Sequence, residues 1–326
     1  MMPSGQFFDG HASKEKSAPS GGSASHEVFS KSGEAKSMGV LIVGVGNMGG
    51  GMVANLLSKG WQVMVSDIDA KKVDFWVSKG ALDQSLPGQN APDLIATIIC
   101  VVDAVQTEDV LFGRQGLAHR LQAGQTVILC PTILPQDVEG FARRLAERGI
   151  RTIDAPMSGG PARATDGTMS LLVACPPDVF VQQSALLNAL SSKLFNISEK
   201  PGDAARTKLV NNLLAGINLV GAAEALALAE KLGLDVAKTL SVIEQSSGQS
   251  WIGTDRMRRA IAGDYAPRAH VTLLEKDTRL ALECAAAAGF DGPLGAAASG
   301  VFQQAHEAGL AAEDDAAVFK VLSGRG

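Results

Sequence analysis

Gly44-Val45-Gly46-Asn47-Met48-Gly49 forms a GxGxxG hexamer, with the apolar run GVLIV before it and the helix-like GGMVANLLSKG after it. In a loop that cradles phosphate, Gly44 permits a tight turn, Gly46 lets backbone N–H groups approach a pyrophosphate, and Gly49 allows close helix–strand packing. The helix N-terminus would add about half a positive charge toward the phosphates. Without its flanks the hexamer could equally be a simple strand-to-helix turn. Asp67, about 20 residues on, closes a second apolar run, QVMVSD, where its carboxylate would accept hydrogen bonds from adenosine ribose hydroxyls. That carboxylate would also repel a 2′-phosphate in a partly desolvated crevice, so NAD is expected rather than NADP. Asp69 reads as a solvated turn residue.

A second constellation begins at Asp154-Ala155-Pro156-Met157-Ser158-Gly159-Gly160-Pro161, where a β-type run ends in a glycine pair. A serine hydroxyl beside unobstructed backbone N–H groups makes a carboxylate cradle, although the same composition also makes an ordinary turn. Further on, Lys208 and Asn212 stand four apart on one helical face at the start of a long apolar stretch. A helix lysine is usually just solvated; the adjoining apolar run predicts that this turn is half buried.

These residues need elements to position them. From Met38 the runs GVLIVGVG, QVMVSD, ATIICVV, TVILCP, RTIDAP and MSLLVAC alternate with helix-period stretches, which predicts βαβ units and a mostly parallel sheet. After Pro201 the β-type runs stop, and KLVNNLLAGINLVGAAEALALAEKLG and TRLALECAAAAG read as helices, with Gly233, Gly289 and Gly309 placed to close Ala-rich segments. The expected α/β organisation is a leader or tag over 1–37, a dinucleotide-binding domain over 38–201 and a helical substrate and oligomerisation domain over 202–326. Residues 1–37 hold nine serines and five glycines with scattered apolar residues, a composition that cannot build a core and reads as disordered.

Composition narrows the function classes. With 46% hydrophobic and 19% charged residues and a net charge of −5, the chain of 326 residues has no general affinity to offer nucleic acid or an anionic membrane. The weakly charged stretch Leu209 to Ala229 has membrane-spanning length, but Asn211, Asn212, Asn218 and Glu224 argue for a buried helix. Cys100, Cys130, Cys175 and Cys284 are dispersed, which predicts neither a metal site nor a disulfide framework and suits a reducing, cytoplasmic setting. His119, His270 and His306 stand alone; Trp251 reads as a core aromatic and Asp277, beside Lys276, as a surface partner.

Taken in order, GVGNMG, DAPMSGG, the G-x5-K-x3-N from Gly202 to Asn212, and Lys276-Asp277 make the chain from Met38 onward resemble the β-hydroxyacid dehydrogenases. The resemblance implies a Rossmann-like N-terminal domain, a long interdomain helix and an all-helical C-terminal domain, with the active site in the cleft. It implies Lys208 as catalytic base, Ser158, Gly159, Gly160 and Asn212 as substrate contacts, and Thr132 and Lys276 as cofactor contacts. Val101 and Val102 match the family's cofactor-lining Leu-Pro pair by position only. Ala204, Pro131 and Thr278 depart from the family's Gly, Ser and Leu.

Within the family, VVDAVQTEDVLFG, GQSWIGTDRM, GDYAPR and EDDAAVFKVLSG are similar to L-threonate dehydrogenases, whereas Asn211-Asn212 is the pair typical of hydroxyisobutyrate and tartronate enzymes. The implied activity is NAD-dependent oxidation of a small hydroxy acid such as the four-carbon L-threonate, with 3-hydroxyisobutyrate or tartronate semialdehyde chemistry as the alternative. A non-catalytic dinucleotide-binding protein, or an imine reductase, would be expected to lack Lys208. The apolar helices exceed what one small core needs, so a homo-oligomer is expected.

Overall fold

The computed structural model describes residues 39–84 and 94–325. The expected disordered leader over 1–37 lies outside the described residues.

Among the described residues nine strands form one sheet: β1 (Gly39–Val43), β2 (Val63–Ser66), β3 (Leu82–Asp83), β4 (Leu94–Ile99), β5 (Thr126–Leu129), β6 (Arg151–Asp154), β7 (Met157–Ser158), β8 (Met169–Ala174) and β9 (Ser191–Ser198). Their order is β3-β2-β1-β4-β5-β6-β8-β7, with β9 pairing β8. The first six are parallel; β8 runs antiparallel to β6 and β7 and parallel to β9. The order 3-2-1-4-5-6 is that of a Rossmann sheet, whose switch point lies between β1 and β4, so a crevice opens beyond their carboxyl ends.

The unbroken apolar runs follow from a sheet covered on both faces. Between them run α1 (Asn47–Ser58), α2 (Ala70–Val77), α3 (Ala104–Phe112), α4 (Pro135–Ala146), α5 (Gly160–Asp166) and α6 (Pro177–Leu190). Side chains alternate along each strand: Val40, Ile42, Ile98 and Ile128 pack with Met52, Val53 and Leu56 of α1 and Leu186 and Leu187 of α6. Leu41, Val43, Ile99, Val127 and Leu129 face the other way, onto Leu111 of α3 and Val138, Phe141 and Leu145 of α4.

From Asp203 onward the described residues form helices: α7 (Asp203–Lys231), α8 (Val236–Ile243), α9 (Trp251–Ile261), α10 (Val271–Ala287), α11 (Pro293–Ala305) and α12 (Val318–Ser323). Their core joins Leu219, Ala223 and Leu226 of α7 to Met257, Phe302 and Phe319. Gly233 and Gly289, just past α7 and α10, take the left-handed conformation at φ 73° and 72°, as a helix-closing glycine does.

Three features differ from the sequence expectation. β9, Ser-Ser-Lys-Leu-Phe-Asn-Ile-Ser, sits at an edge with most of its residues exposed or half-buried, so it lacks the apolar density of the inner strands. The two-residue β3 and β7 are too short for periodicity to register. α7 is buried on one side only: 44% of its most apolar stretch is covered, and Val210, Leu214 and Leu228 remain exposed.

Candidate active site

The loop after β1 meets the start of α1 under tight steric control. Gly44 has φ 86°, and a Cβ there would stand 2.5 Å from the Cys100 carbonyl oxygen and 3.1 Å from Val101 Cγ1. A Cβ on Gly49 would overlap the Gly44 carbonyl, so α1 lies against β1 only because position 49 is bare. Gly46 is different: it has φ −68° and ψ −155°, and a Cβ there would meet no atom within 4 Å. Internal packing gives no reason for glycine at 46, whereas a pyrophosphate approaching the backbone does. Asn47 is the exposed first residue of α1 and Met48 packs toward the sheet core.

Asp67, just past β2, accepts hydrogen bonds from the backbone N–H of Val45 (2.8 Å, on Oδ2) and of Asp69 (2.9 Å, on Oδ1). It therefore ties the end of β2 to the glycine loop and keeps lone pairs for ribose hydroxyls. Asp69 caps α2, its Oδ1 accepting from the Lys71 N–H at 3.1 Å, in line with the turn role expected of it. Val101 and Val102 follow β4 on the other side of the switch point; Val102 is 51% exposed and its N–H donates to Gln106 Oε1 at 3.1 Å. Glycines that leave room for phosphate, a carboxylate at the second strand end and apolar residues after β4 fit a nicotinamide dinucleotide.

The cation-bearing side of the cleft is built on α7. Its N-cap, Gly202, has no side chain to satisfy the first N–H groups of the helix, and Asp154 at the end of β6 does so instead, its Oδ2 accepting from Gly202 N (2.8 Å) and Ala205 N (3.0 Å). Burial pushes the Asp154 carboxyl up to about 6 against the opposing pull of those N–H groups. Through this contact the strand that opens DAPMSGG fixes the first turn of the helix that carries Lys208. Ala204, in place of the family's glycine, lies fully buried in that first turn.

Lys208 and Asn212 are 7% and 8% exposed. The Lys208 amine makes no hydrogen bond or ion pair among the described residues. Burial pushes its ammonium below its ordinary value; the Asp277 carboxylate opposes this and Lys276 reinforces it. Asn212 donates from Nδ2 to Asp277 Oδ2 at 2.5 Å and accepts from Asn211 Nδ2 at 3.0 Å. Lys276, on α10, donates to Asp277 Oδ1 at 2.7 Å and to the Thr132 carbonyl at 2.6 Å, joining α10 to the loop after β5.

Thus Lys208, Asn212, Lys276 and Thr132 converge, with Asp277 at their centre. Asp277 is a correction to the sequence reading: at 7% exposure it is a buried acceptor for two site residues, not a surface partner. Its adjacency to Lys276 was the available signal. Asp154 went unassigned although it opens DAPMSGG; a carboxylate closing an apolar run, with no local donor, marked it. Trp251 is also corrected, being 56% exposed at the start of α9 rather than part of the core. Ser158, Gly159 and Gly160 are half-buried where β7 passes into α5, the glycines at φ 129° and 77°.

A Rossmann sheet with a dinucleotide loop, followed by a helical half carrying a buried lysine, defines a nicotinamide-dependent oxidoreductase. Residues 39–198 match the family model described as the NAD binding domain of 6-phosphogluconate dehydrogenase, and residues 202–322 match that described as NAD-binding of NADP-dependent 3-hydroxyisobutyrate dehydrogenase. L-threonate dehydrogenase of Cupriavidus necator is 35% identical over 283 residues, covering 87% of this chain and 95% of the relative. A 3-hydroxyisobutyrate dehydrogenase of Pseudomonas aeruginosa is 35% identical over 272 residues, covering 81% and 90%. The crystal structure of a 3-hydroxyisobutyrate dehydrogenase from Salmonella typhimurium superposes with a TM-score of 0.80 at 33% identity, covering 87% of this chain and 99% of that one. The chain belongs to the β-hydroxyacid dehydrogenase family, NAD-dependent oxidoreductases acting on CH–OH groups.

Proposed function

We propose that this protein oxidises a small hydroxy acid with Lys208 as the general base, and that the substrate is a four-carbon sugar acid such as L-threonate. The observation that carries the base assignment is the Lys208 amine, buried on α7, free of hydrogen bonds among the described residues and held below its ordinary protonation range. The substrate assignment is supported by relatives named L-threonate dehydrogenase, 33–35% identical over most of the chain.

NAD, when bound, supplies the hydride acceptor. Lys208, neutral at the start, takes the hydroxyl proton; in the reverse direction it returns the proton to the carbonyl oxygen. Asn212, oriented by Asp277, holds the reacting oxygen near the amine, while Ser158 and the backbone N–H groups of Gly159 and Gly160 receive the carboxylate and fix which carbon reacts. Thr132, Lys276, Val101 and Val102 complete the cofactor side, and Asp67 favours NAD over NADP.

The test is Lys208→Ala with L-threonate, D-threonate, D-glycerate and 3-hydroxyisobutyrate as substrates. Loss of general acid–base catalysis lowers kcat by about 10²–10⁴, while NADH affinity, read by fluorescence titration, stays at the wild-type value. Near-normal turnover in the variant removes Lys208 from the mechanism, and a wild-type protein inactive on every such acid removes the substrate class.

A further inference from the structure

A hydroxy acid enters as an anion, yet the groups so far assigned to receive it bring no net positive charge. Lys208 works in its neutral form, Lys276 is paired with Asp277, and Ser158 with the glycine backbone offers dipoles only. The missing cation stands next to the cradle. A Cβ on Gly159 would lie 2.8 Å from Arg163 Cδ and 3.2 Å from Arg163 Cβ, so the arginine stem rests against the bare face of that glycine.

The guanidinium of the half-buried Arg163 makes no hydrogen bond or ion pair among the described residues. Its guanidinium instead lies 5.5 Å from the ring centroid of Trp251, within the range of a cation–π contact. Trp251 opens α9, which is seated on α7: a Cβ on Gly253 would stand 2.9 Å from Ala222 Cβ. Arg163, on α5 beside the sheet, therefore reaches a tryptophan of the helical half, and both stay accessible, the ring 56% exposed and the arginine half-buried.

We propose that Arg163, steadied by Trp251, is the counter-ion for the substrate's carboxylate and the residue by which the site selects hydroxy acids over neutral alcohols. This rests on the hydroxy-acid reading above and deepens it. The planar fork of the guanidinium matches a carboxylate in two parallel hydrogen bonds, and the indole face limits where the fork can swing. Lysine at 163 would keep the charge and lose the fork.

The experiment compares Arg163→Gln, Arg163→Lys and Trp251→Leu with wild type on L-threonate and on its neutral methyl ester. Losing a charge-assisted hydrogen bond raises KM for the acid by about 10–100-fold in Arg163→Gln, with kcat nearly unchanged, NADH affinity intact and ester turnover unaltered, so the preference for acid over ester collapses. Arg163→Lys and Trp251→Leu fall between. A variant that keeps the preference, or loses acid and ester turnover equally, overturns the assignment. Calorimetric titration of L-threonate into NADH-loaded protein reads the same contact without turnover: measurable wild-type binding with an equal Arg163→Gln dissociation constant refutes the counter-ion role even if no acid is oxidised, whereas a weakened one, in a wild type inactive on all four acids, leaves it standing and refutes the catalytic reading.

Discussion

Replacing Gly46 by alanine separates what the phosphate loop needs from what the fold needs. The backbone there, φ −68° and ψ −155°, is open to any L residue, and the added methyl would find no atom within 4 Å. Two small effects on stability oppose each other: the unfolded chain loses freedom, worth about 0.4–1 kcal/mol in favour of alanine, while alanine is the poorer N-cap for α1 by a comparable amount. The net change stays within about 1 kcal/mol, or about 4 °C in Tm. Cofactor binding responds differently, because the methyl stands where a pyrophosphate would approach the backbone. One lost hydrogen bond to a charged group costs about 1.5–3 kcal/mol, which raises the dissociation constant about 10–150-fold. Gly49→Ala is the counterpart: its methyl would overlap the Gly44 carbonyl, a backbone atom that cannot yield unless α1 moves off β1, so stability and binding fall together. Fluorescence titration with NADH beside thermal denaturation reads both quantities. Wild-type affinity in Gly46→Ala, or a melting temperature depressed as far as in Gly49→Ala, would refute the reasoning.

In the oxidative direction kcat/KM rises with pH as Lys208 loses its proton; Asp277→Asn removes the charge that favours the ammonium and leaves Lys276 unpaired beside it, so the acid limb of the profile moves to lower pH. An unmoved limb, or one shifted to higher pH, contradicts that coupling. Asp154 is 1% exposed with its carboxyl raised to about 6 from an ordinary 3.8, so the stability it contributes is complete below the ordinary value and lost as pH rises through about 6. Asp154→Asn does not titrate; its deficit against wild type, measured by urea denaturation, shrinks by about 3 kcal/mol between pH 3.5 and pH 7, and a deficit that grows with pH would reverse the sign. In the ribose-binding role proposed for Asp67, kcat/KM with NAD exceeds that with NADP, and the reverse order would remove that role.

What could be read from the sequence follows from how local each signal is. The sheet was legible because a parallel strand buried on both faces is an unbroken apolar run, and the glycine loop because a turn, a close approach and a helix contact each demand glycine at a fixed offset. Lys208 and Asn212 were legible as a pair because four residues make one helical turn. The roles of Asp154 and Asp277 were not, because they depend on partners 48 and 65 residues away, Gly202 and Asn212, and the local sequence marks the carboxylates without showing what they bind. Trp251 was misread for a related reason: its exposure is decided by where α9 seats on α7, and a tryptophan in a chain with 5% aromatic residues is by default a core residue. All three are settled where two elements meet: Asp154 where β6 meets α7, Asp277 where α10 meets α7, and Trp251 where α9 meets α7. At Asp277 the meeting bears on the chemistry, because a lysine can work as a base only if it is desolvated yet not neutralised, and the carboxylate that tempers Lys208 reaches it from α10. That balance comes into existence only when the chain folds.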